Sequence, residues 1–269
     1  MVKIFLSVRN RLGITKKCIQ ALQKHSELPH QIYVFDNLTD YRVDEHFSYF
    51  SDLYQKGIVQ QVTFNTNAST FNAFSKAVAC NQFGHNHLQD PNKNKYTYLL
   101  FLDNDIIVAP GWDTILRKVW LHVIKSKMKN IHVITQLPGG IMRARQDLKI
   151  EGFDAKLGKL GGSGFWSIRP TFFDTVGFLD IPALVGANKK HDQNYWRKLD
   201  VLNNGKEYIL GIKKLLAQHC GSQVGSVCNV LTQNKQADIR FVESDQKIES
   251  MEFDDFYKWI SEIPILRKW

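Results

Sequence analysis

The chain has 269 residues, 43% of them hydrophobic and 23% charged, with 35 Lys and Arg against 26 Asp and Glu for a net charge of +9. This length suits one large domain or two small ones, and the composition is ordinary for a globular protein. No apolar run approaches a membrane-spanning helix, and Cys18, Cys80, Cys220 and Cys228 form no CxxC pair and no compact disulfide spacing, so the expectation is a cytoplasmic enzyme with reduced thiols.

Lys3 to Val8 (KIFLSV) reads as a first strand, without the basic segment and small-residue cleavage site of a signal peptide. Ile14, Cys18, Ala21 and Leu22 then make a helical stripe after the Gly13 turn. Gln31 to Phe35 is a second strand ending at Asp36-Asn37. Val43, Phe47, Phe50 and Tyr54 recur at helical spacing, and Ile58 to Phe64 is a third strand. Phe71, Phe74 and Val78 mark another helix, followed by a polar loop from Gly84 to Lys95. Strands alternating with helices predict a mostly parallel α/β sheet covered on both faces.

Tyr96 to Leu102 has strand composition and runs into Asp103-Asn104-Asp105. Two carboxylates at the mouth of an apolar strand are unfavourable without a cation or hydrogen-bond donors. Hard divalent ions such as Mg²⁺ or Mn²⁺ favour carboxylate oxygens, often together with substrate phosphates. The alternatives are a cap on the helix after Pro110 or a polar strand end. Arg9-Asn10, Asp36-Asn37, Asn65 and the Asp-Asn-Asp turn all fall at predicted strand ends, where open α/β sheets bind ligands. Each alone is also a good turn former.

Leu116, Val119, Trp120 and Val123 give the helix after Pro110 an apolar face, and Lys118, His122, Lys125 and Lys129 a basic one. From Asp113 to Lys149 there are eight Lys or Arg and two Asp, a local charge of +6. Such a stripe is a solvated face or an anion-binding one. Gly152 to Gly164 reads as loop with short strands, and its glycines lack the GxGxxG spacing of a dinucleotide site. Ile181 to Lys190 reads as a flexible loop, and His191-Asp192-Gln193 opens a helix through Tyr195, Trp196 and Leu199. Glu207 to Ile212 and Leu215 to Ala217 are short strands, with His219 in the polar loop QHCGSQVGS. His219, Cys220 and Cys228 lack the fourth ligand and spacing of a zinc site. Phe253, Phe256, Tyr257 and Ile260 form the apolar face of a final helix, with Glu249, Glu252, Asp254 and Asp255 assigned to its N-terminal half.

In this order the segments resemble the nucleotide-sugar glycosyltransferases of the GT-A fold, similar to the family-2 inverting enzymes. SVRNR (Ser7 to Arg11) stands at the family's first polar turn, and Asp36 at the acid that ends its second strand. FNTNASTFNAFSKA (Phe64 to Ala77) matches its Asn-rich turn, and LLFLDNDIIVAPGWD its DxD segment. Gly161 to Asp180 matches its acceptor-side segment, HDQNYWRKL its Glu-Asp motif and HCGS its late His-Gly-Ser turn. SVRNR lacks the usual Thr-Tyr-Asn, and His191 replaces an acid.

The resemblance implies a single GT-A-type, Rossmann-like α/β domain over 1–225, with a nucleotide-sugar half (1–110), an acceptor and catalytic half (111–225) and a C-terminal helical extension (226–269). It implies Asp192 as catalytic base and Asp105, Asp103 and His219 as ligands of Mn²⁺ or Mg²⁺. Ser7, Arg9, Asn10, Asp36, Asn72, Asp103 and Asn104 would bind a UDP-linked sugar, and Gly162, Ser163, Trp166 and His191 the acceptor or sugar. The implied reaction is inverting transfer to a hydroxyl acceptor. The positive charge admits hydroxymethylated DNA as that acceptor, with Trp166 and the 181–190 loop as devices to expose a base. Sugar nucleotidyltransferase chemistry is the rival of another class, but Ser7 to Gly13 lacks its Gly-rich loop. A non-catalytic binding module is the remaining alternative.

Overall fold

The computed structural model describes residues 1–37, 39, 42–65, 72–136, 143–159, 164–180, 191–220 and 244–262, with 65, 72–76, 143–145 and 191–193 described as backbone only. The first half alternates β1 (Val2–Val8), α1 (Leu12–His25), β2 (His30–Asn37), α2 (Val43–Gln55), β3 (Val59–Asn65), α3 (Asn72–Gln89) and β4 (Tyr98–Asp103). The second half contains β5 (Ile106–Val108), α4 (Trp112–Lys125), β6 (Val133–Gln136), β7 (Arg143–Ile150), β8 (Phe153–Lys159) and β9 (Phe165–Ile168). It continues with α5 (Phe172–Thr175), α6 (His191–Leu202), β10 (Ile209–Ile212) and β11 (Ala217–His219). Two further helices, α7 (244–250) and α8 (Phe253–Glu262), follow.

Nine strands form one sheet in the order β3-β2-β1-β4-β9-β6-β10-β8-β7, and β5 pairs with β11 in a separate ribbon. From the pairings, β8 and β9 run opposite to the other strands of the large sheet. The mostly parallel α/β architecture read from the sequence is therefore present. β1 lies between β2 and β4, and all its residues are buried. The pleat sends Ile4, Leu6 and Val8 into a core shared with α1, α4 and α8, while Phe5 faces Phe35, Phe83 and Phe101 on the other side.

Lys3 interrupts this apolar strand. Its ammonium, 1% exposed, lies 2.9 Å from Asp90 and over the rings of Tyr33 and Tyr96. A buried lysine is tolerated when a carboxylate and aromatic faces replace water. Burial alone would raise the Asp90 carboxyl. Lys3, the Asn92 amide and the Tyr96 hydroxyl outweigh that and leave it below its ordinary value.

Several local readings change. α3 runs through Gly84 to Gln89, where a polar loop was expected. Its polar composition misleads because Gly84 and His87 are both buried there, and His87 Nε2 pairs with the Pro170 carbonyl at 2.8 Å. Gly84 allows close helix packing, since a Cβ there would come within 2.6 Å of two Phe173 ring atoms. The glycine-rich stretch opens with β8, which forms a hairpin with the preceding β7, Glu151 and Gly152 both being at positive φ in the two-residue turn. Glu249 belongs to α7 and not to the final helix. Asp245, also on α7, accepts hydrogen bonds from the Gly13 and Ile14 amides at 3.0 and 3.2 Å, capping α1 from 231 or more residues away in sequence. The 181–190 loop and Cys228 lie outside the described residues.

An acid held below its ordinary pKa in the folded state stabilises the fold above the unfolded-chain value and loses that contribution as pH falls through the folded one. Asp90 therefore stabilises the protein at neutral pH, and that contribution begins to fall away below the ordinary carboxylate value of about 3.9 and is gone only below the lower folded value. Asp90→Asn is expected to lower the neutral-pH Tm and to show a smaller further loss on acidification than wild type. Thermal melts across that range check this, and parallel acid limbs would contradict it.

Candidate functional site

β1 and β4 pair in parallel with Ser7 opposite Asp103, so the turns that follow them emerge side by side at the carboxyl edge of the sheet. In the first turn Asn10 and Arg11 have φ of 51° and 55°, the left-handed region that costs non-glycine residues energy. Compensating contacts surround them. The Asn10 amide donates to Thr39 Oγ1 at 3.0 Å, and the Thr15 hydroxyl donates to the Arg11 carbonyl at 2.7 Å.

Asn104 links the two turns. Its backbone amide donates to the Ser7 carbonyl at 3.0 Å, and its side-chain amide donates to the Asn10 carbonyl at 3.2 Å and to Thr15 Oγ1 at 2.8 Å. Ser7 is held in turn by the Asn37 amide, which donates to Ser7 Oγ at 3.1 Å. Ser7, Asn37 and Asn104 are buried, each 9% exposed or less.

Asp105 is the electrostatic centre. Its Oδ2 lies 2.8 Å from Arg11 Nη1 and 3.2 Å from His219 Nε2. The β5–β11 ribbon places the imidazole, because its antiparallel register sets His219 opposite Ile106, and the Cys220 amide donates to the Asp105 carbonyl at 2.8 Å. His219 is thus the last residue of a strand, where the sequence suggested a loop. Asp103 is partly exposed, and its amide donates to the Gly164 carbonyl at 3.0 Å. Burial first and the Asp105 carboxylate second push the Cys18 and Cys220 thiols well above the ordinary cysteine range, so neither offers a thiolate at neutral pH.

Asp36 is the penultimate residue of β2 and is 2% exposed. Its Oδ1 accepts from the Thr39 amide at 3.0 Å, and its Oδ2 lies 3.5 Å from Nδ1 of the buried His46. Trp166 does not present its ring to an acceptor. It is 3% exposed, because β9 turns it into the core against Trp196 of α6 at 4.6 Å between ring centroids. The backbone of His191 and Asp192 opens α6 as expected. Their side chains, that of Asn72, and Gly162 and Ser163 lie outside the described residues, so the structure neither joins them to the Asp105 cluster nor separates them.

Asp103, Asp105 and His219 do not form a ready metal shell. Among the described residues no three His, Cys, Asp or Glu side chains are grouped to hold an ion. Of that expected set Asp105 and His219 are in contact, and the oxygen they share already faces a guanidinium. Arg11 is the residue that the sequence reading passed over. The signal was present in SVRNR, where a second arginine stands in the turn beside an acidic turn on the paired strand.

No protein-family model matches the sequence, and no curated protein matches it. Solved structures do match in shape. They include S. aureus TarS, with TM-score 0.51 and 11% identity over 94% of this chain and 44% of that one. GalNAc-T7 with UDP, GalNAc and Mn²⁺ matches with TM-score 0.51 and 12% identity, over 97% of this chain and 50% of that one. The mannosyltransferase PcManGT from Pyrobaculum calidifontis, in complex with GDP-Man and Mn²⁺, matches with TM-score 0.50 and 7% identity, over 98% and 76%. The fold is that of the GT-A glycosyltransferases. The chain spans less than half of TarS and half of GalNAc-T7. Within this GT-A fold, the Asp103 to Asp105 turn occupies the carboxyl edge of the sheet, where α/β folds bind their ligands.

Replacing Asn104 by Ala would leave the Asn10 carbonyl and Thr15 hydroxyl without this buried donor. The expected cost is about 1–3 kcal/mol, read as a lower midpoint in urea unfolding. An unchanged midpoint would show that the two turns hold their places without the amide.

Proposed function

We propose that this protein is a glycosyltransferase that moves a sugar from a nucleoside-diphosphate sugar, with UDP as the expected carrier, to an acceptor hydroxyl with inversion. The observation that carries the reading is the junction of the Ser7 to Arg11 and Asp103 to Asp105 turns in a GT-A fold. Two proteins of similar fold, GalNAc-T7 and PcManGT, are solved with a nucleoside diphosphate or its sugar.

In the proposed reaction Asp192 takes the proton of the acceptor hydroxyl as that oxygen attacks the anomeric carbon. The bond from that carbon to the diphosphate oxygen breaks, and the diphosphate departs with the electron pair. Attack from the face opposite the diphosphate inverts the configuration. Ser7, Arg9, Asn10 and Asp36 hold the nucleotide, and the cationic side of the β1–α1 turn meets the charge that develops on the leaving group. Asp105 fixes that turn through Arg11. Asn72, Gly162, Ser163 and His191 are assigned to the donor and acceptor by the family resemblance alone.

The acceptor is a saccharide, lipid-linked or protein hydroxyl in the first reading. A DNA acceptor is the second, favoured by one observation: Arg117, Lys118, Lys125, Lys127 and Lys129 are all exposed on and after α4. Glu151 pairs with His122 on the same helix and limits that field locally. The buried Trp166 removes one device proposed for exposing a base. Among the described residues no helix is long and apolar enough to cross a membrane.

A screen of UDP- and GDP-sugars against saccharide acceptors and hydroxymethylated duplex DNA, read by mass spectrometry, is expected to show release of a nucleoside diphosphate. Pyrophosphate release from a nucleoside triphosphate and a sugar phosphate would instead mark a nucleotidyltransferase. Asp192→Asn should keep nucleotide binding and lower transfer by about 10²- to 10⁴-fold. Wild-type turnover in that variant would exclude Asp192 as the base.

A further inference from the structure

We propose that the exposed face of α4 docks this protein on an anionic lipid surface. Leu121 and Ile124 enter the headgroup layer, and Arg117, Lys118 and Lys125 meet the negative headgroups around them. The inference goes beyond the glycosyltransferase reading and does not rest on it.

α4 is apolar on two sides. Trp112, Leu116, Val119, Trp120 and Val123 are buried and supply its packing on the core. Leu121 and Ile124 lie away from that core and stay 39% and 51% exposed. Leu121 stands one helical turn from both Arg117 and Lys125, and Ile124 one turn from Leu121, so the four share a face with Lys118 at its margin. Lys127 and Lys129 carry the charge past the helix end, and all five cations are exposed. The acids nearby stand at the rim. Glu151 pairs with His122 at 2.9 Å, and Glu27 accepts from the Thr114 hydroxyl at 2.5 Å.

A single exposed aliphatic is ordinary on a protein surface. Two of them within a ring of cations are what an interfacial helix presents, with apolar groups to enter the lipid and long basic side chains whose stems reach up to the headgroups. A face that met only water would be served as well by polar residues at both positions. Duplex DNA would attract the same cations, but its backbone sets phosphate oxygens against Leu121 and Ile124, so the aliphatic pair favours lipid. Both ends of α4 are tied near the amino ends of the strands. Asp113 Oδ2 accepts from the Glu27 and Leu28 amides ahead of β2, and the Met128 carbonyl accepts from Arg169 just after β9, whose last residues pair with the start of β4. The turns at Ser7 and Asp103 leave the other ends of these strands, so docking through α4 leaves that edge free.

The deciding measurement is co-sedimentation of the full chain with phosphatidylcholine vesicles containing phosphatidylserine, beside vesicles of phosphatidylcholine alone and a titration with duplex DNA. Wild type is expected to bind the anionic vesicles, less so as salt is added, and not the neutral ones. Leu121→Gln combined with Ile124→Gln keeps every charge and should weaken vesicle binding about tenfold. Lys118→Gln combined with Lys125→Gln should weaken it about 25-fold, roughly fivefold for each cation near an anionic surface. Equal binding to both vesicles, binding to neither, or binding that either double variant leaves unchanged overturns the proposal. Binding to DNA without binding to vesicles overturns it in favour of a nucleic acid. If the aliphatic double variant melts early, Leu121→Ala alone, with an expected loss of about threefold, takes its place, and unchanged binding there also overturns it.

Discussion

Two parallel strands ending at the same level are the constraint on which the site depends. With Ser7 opposite Asp103, the chain leaves β1 and β4 in adjacent turns, and the Asn104 amide closes the gap between them. This brings an arginine and an aspartate that are 94 residues apart to 2.8 Å. The strain of two successive left-handed residues, on the order of 1–3 kcal/mol each, persists because Asn104, Thr15 and Thr39 all bond to that one turn. Backbone strain at a ligand edge is consistent with a turn shaped for binding instead of for stability alone.

Charge is distributed to serve that arrangement. Three acids at or near the core are matched: Asp90 by Lys3, Asp105 by Arg11, and the buried Asp245 by amides in the first turn of α1 with Arg42 nearby at 3.9 Å. Arg42 also joins Glu45 and Glu249, so the C-terminal helices α7 and α8 dock on α1 and α2 through ions at the rim and through Phe256 and Ile260 in the core. Much of the basic excess remains on the surface, where it contributes little to stability and is available to an anionic partner.

The second core connects chemistry to scaffold in a different way. Trp166, Tyr195, Trp196 and Tyr208 pack as one aromatic group between β9 and α6. The helix whose first turn carries Asp192 is therefore anchored by large rings whose geometry resists small displacements. Trp166 packs on that helix from within the core.

Strand and helix periodicity, the order of the elements and the acidic turn were legible from the chain alone, because side-chain period and strand-end chemistry are local properties. KIFLSV and YLLFLD announce buried parallel strands, and their polar endings mark the ligand edge. What remained hidden depended on partners distant in sequence. The Gly84 to Gln89 stretch looks like loop until Phe173 and Pro170 pack on it, and His219 looks like loop until β5 pairs with its strand. Trp166 reads as a ring for an acceptor or a base until β9, inserted in reverse between β4 and β6, turns it into the core. Arg11 could be seen as a charge in a turn, but its pairing with Asp105 follows from strand register, a long-range property. The sequence alone determined that an acidic turn closes a buried strand. Only the tertiary structure decided that Arg11 lies against it.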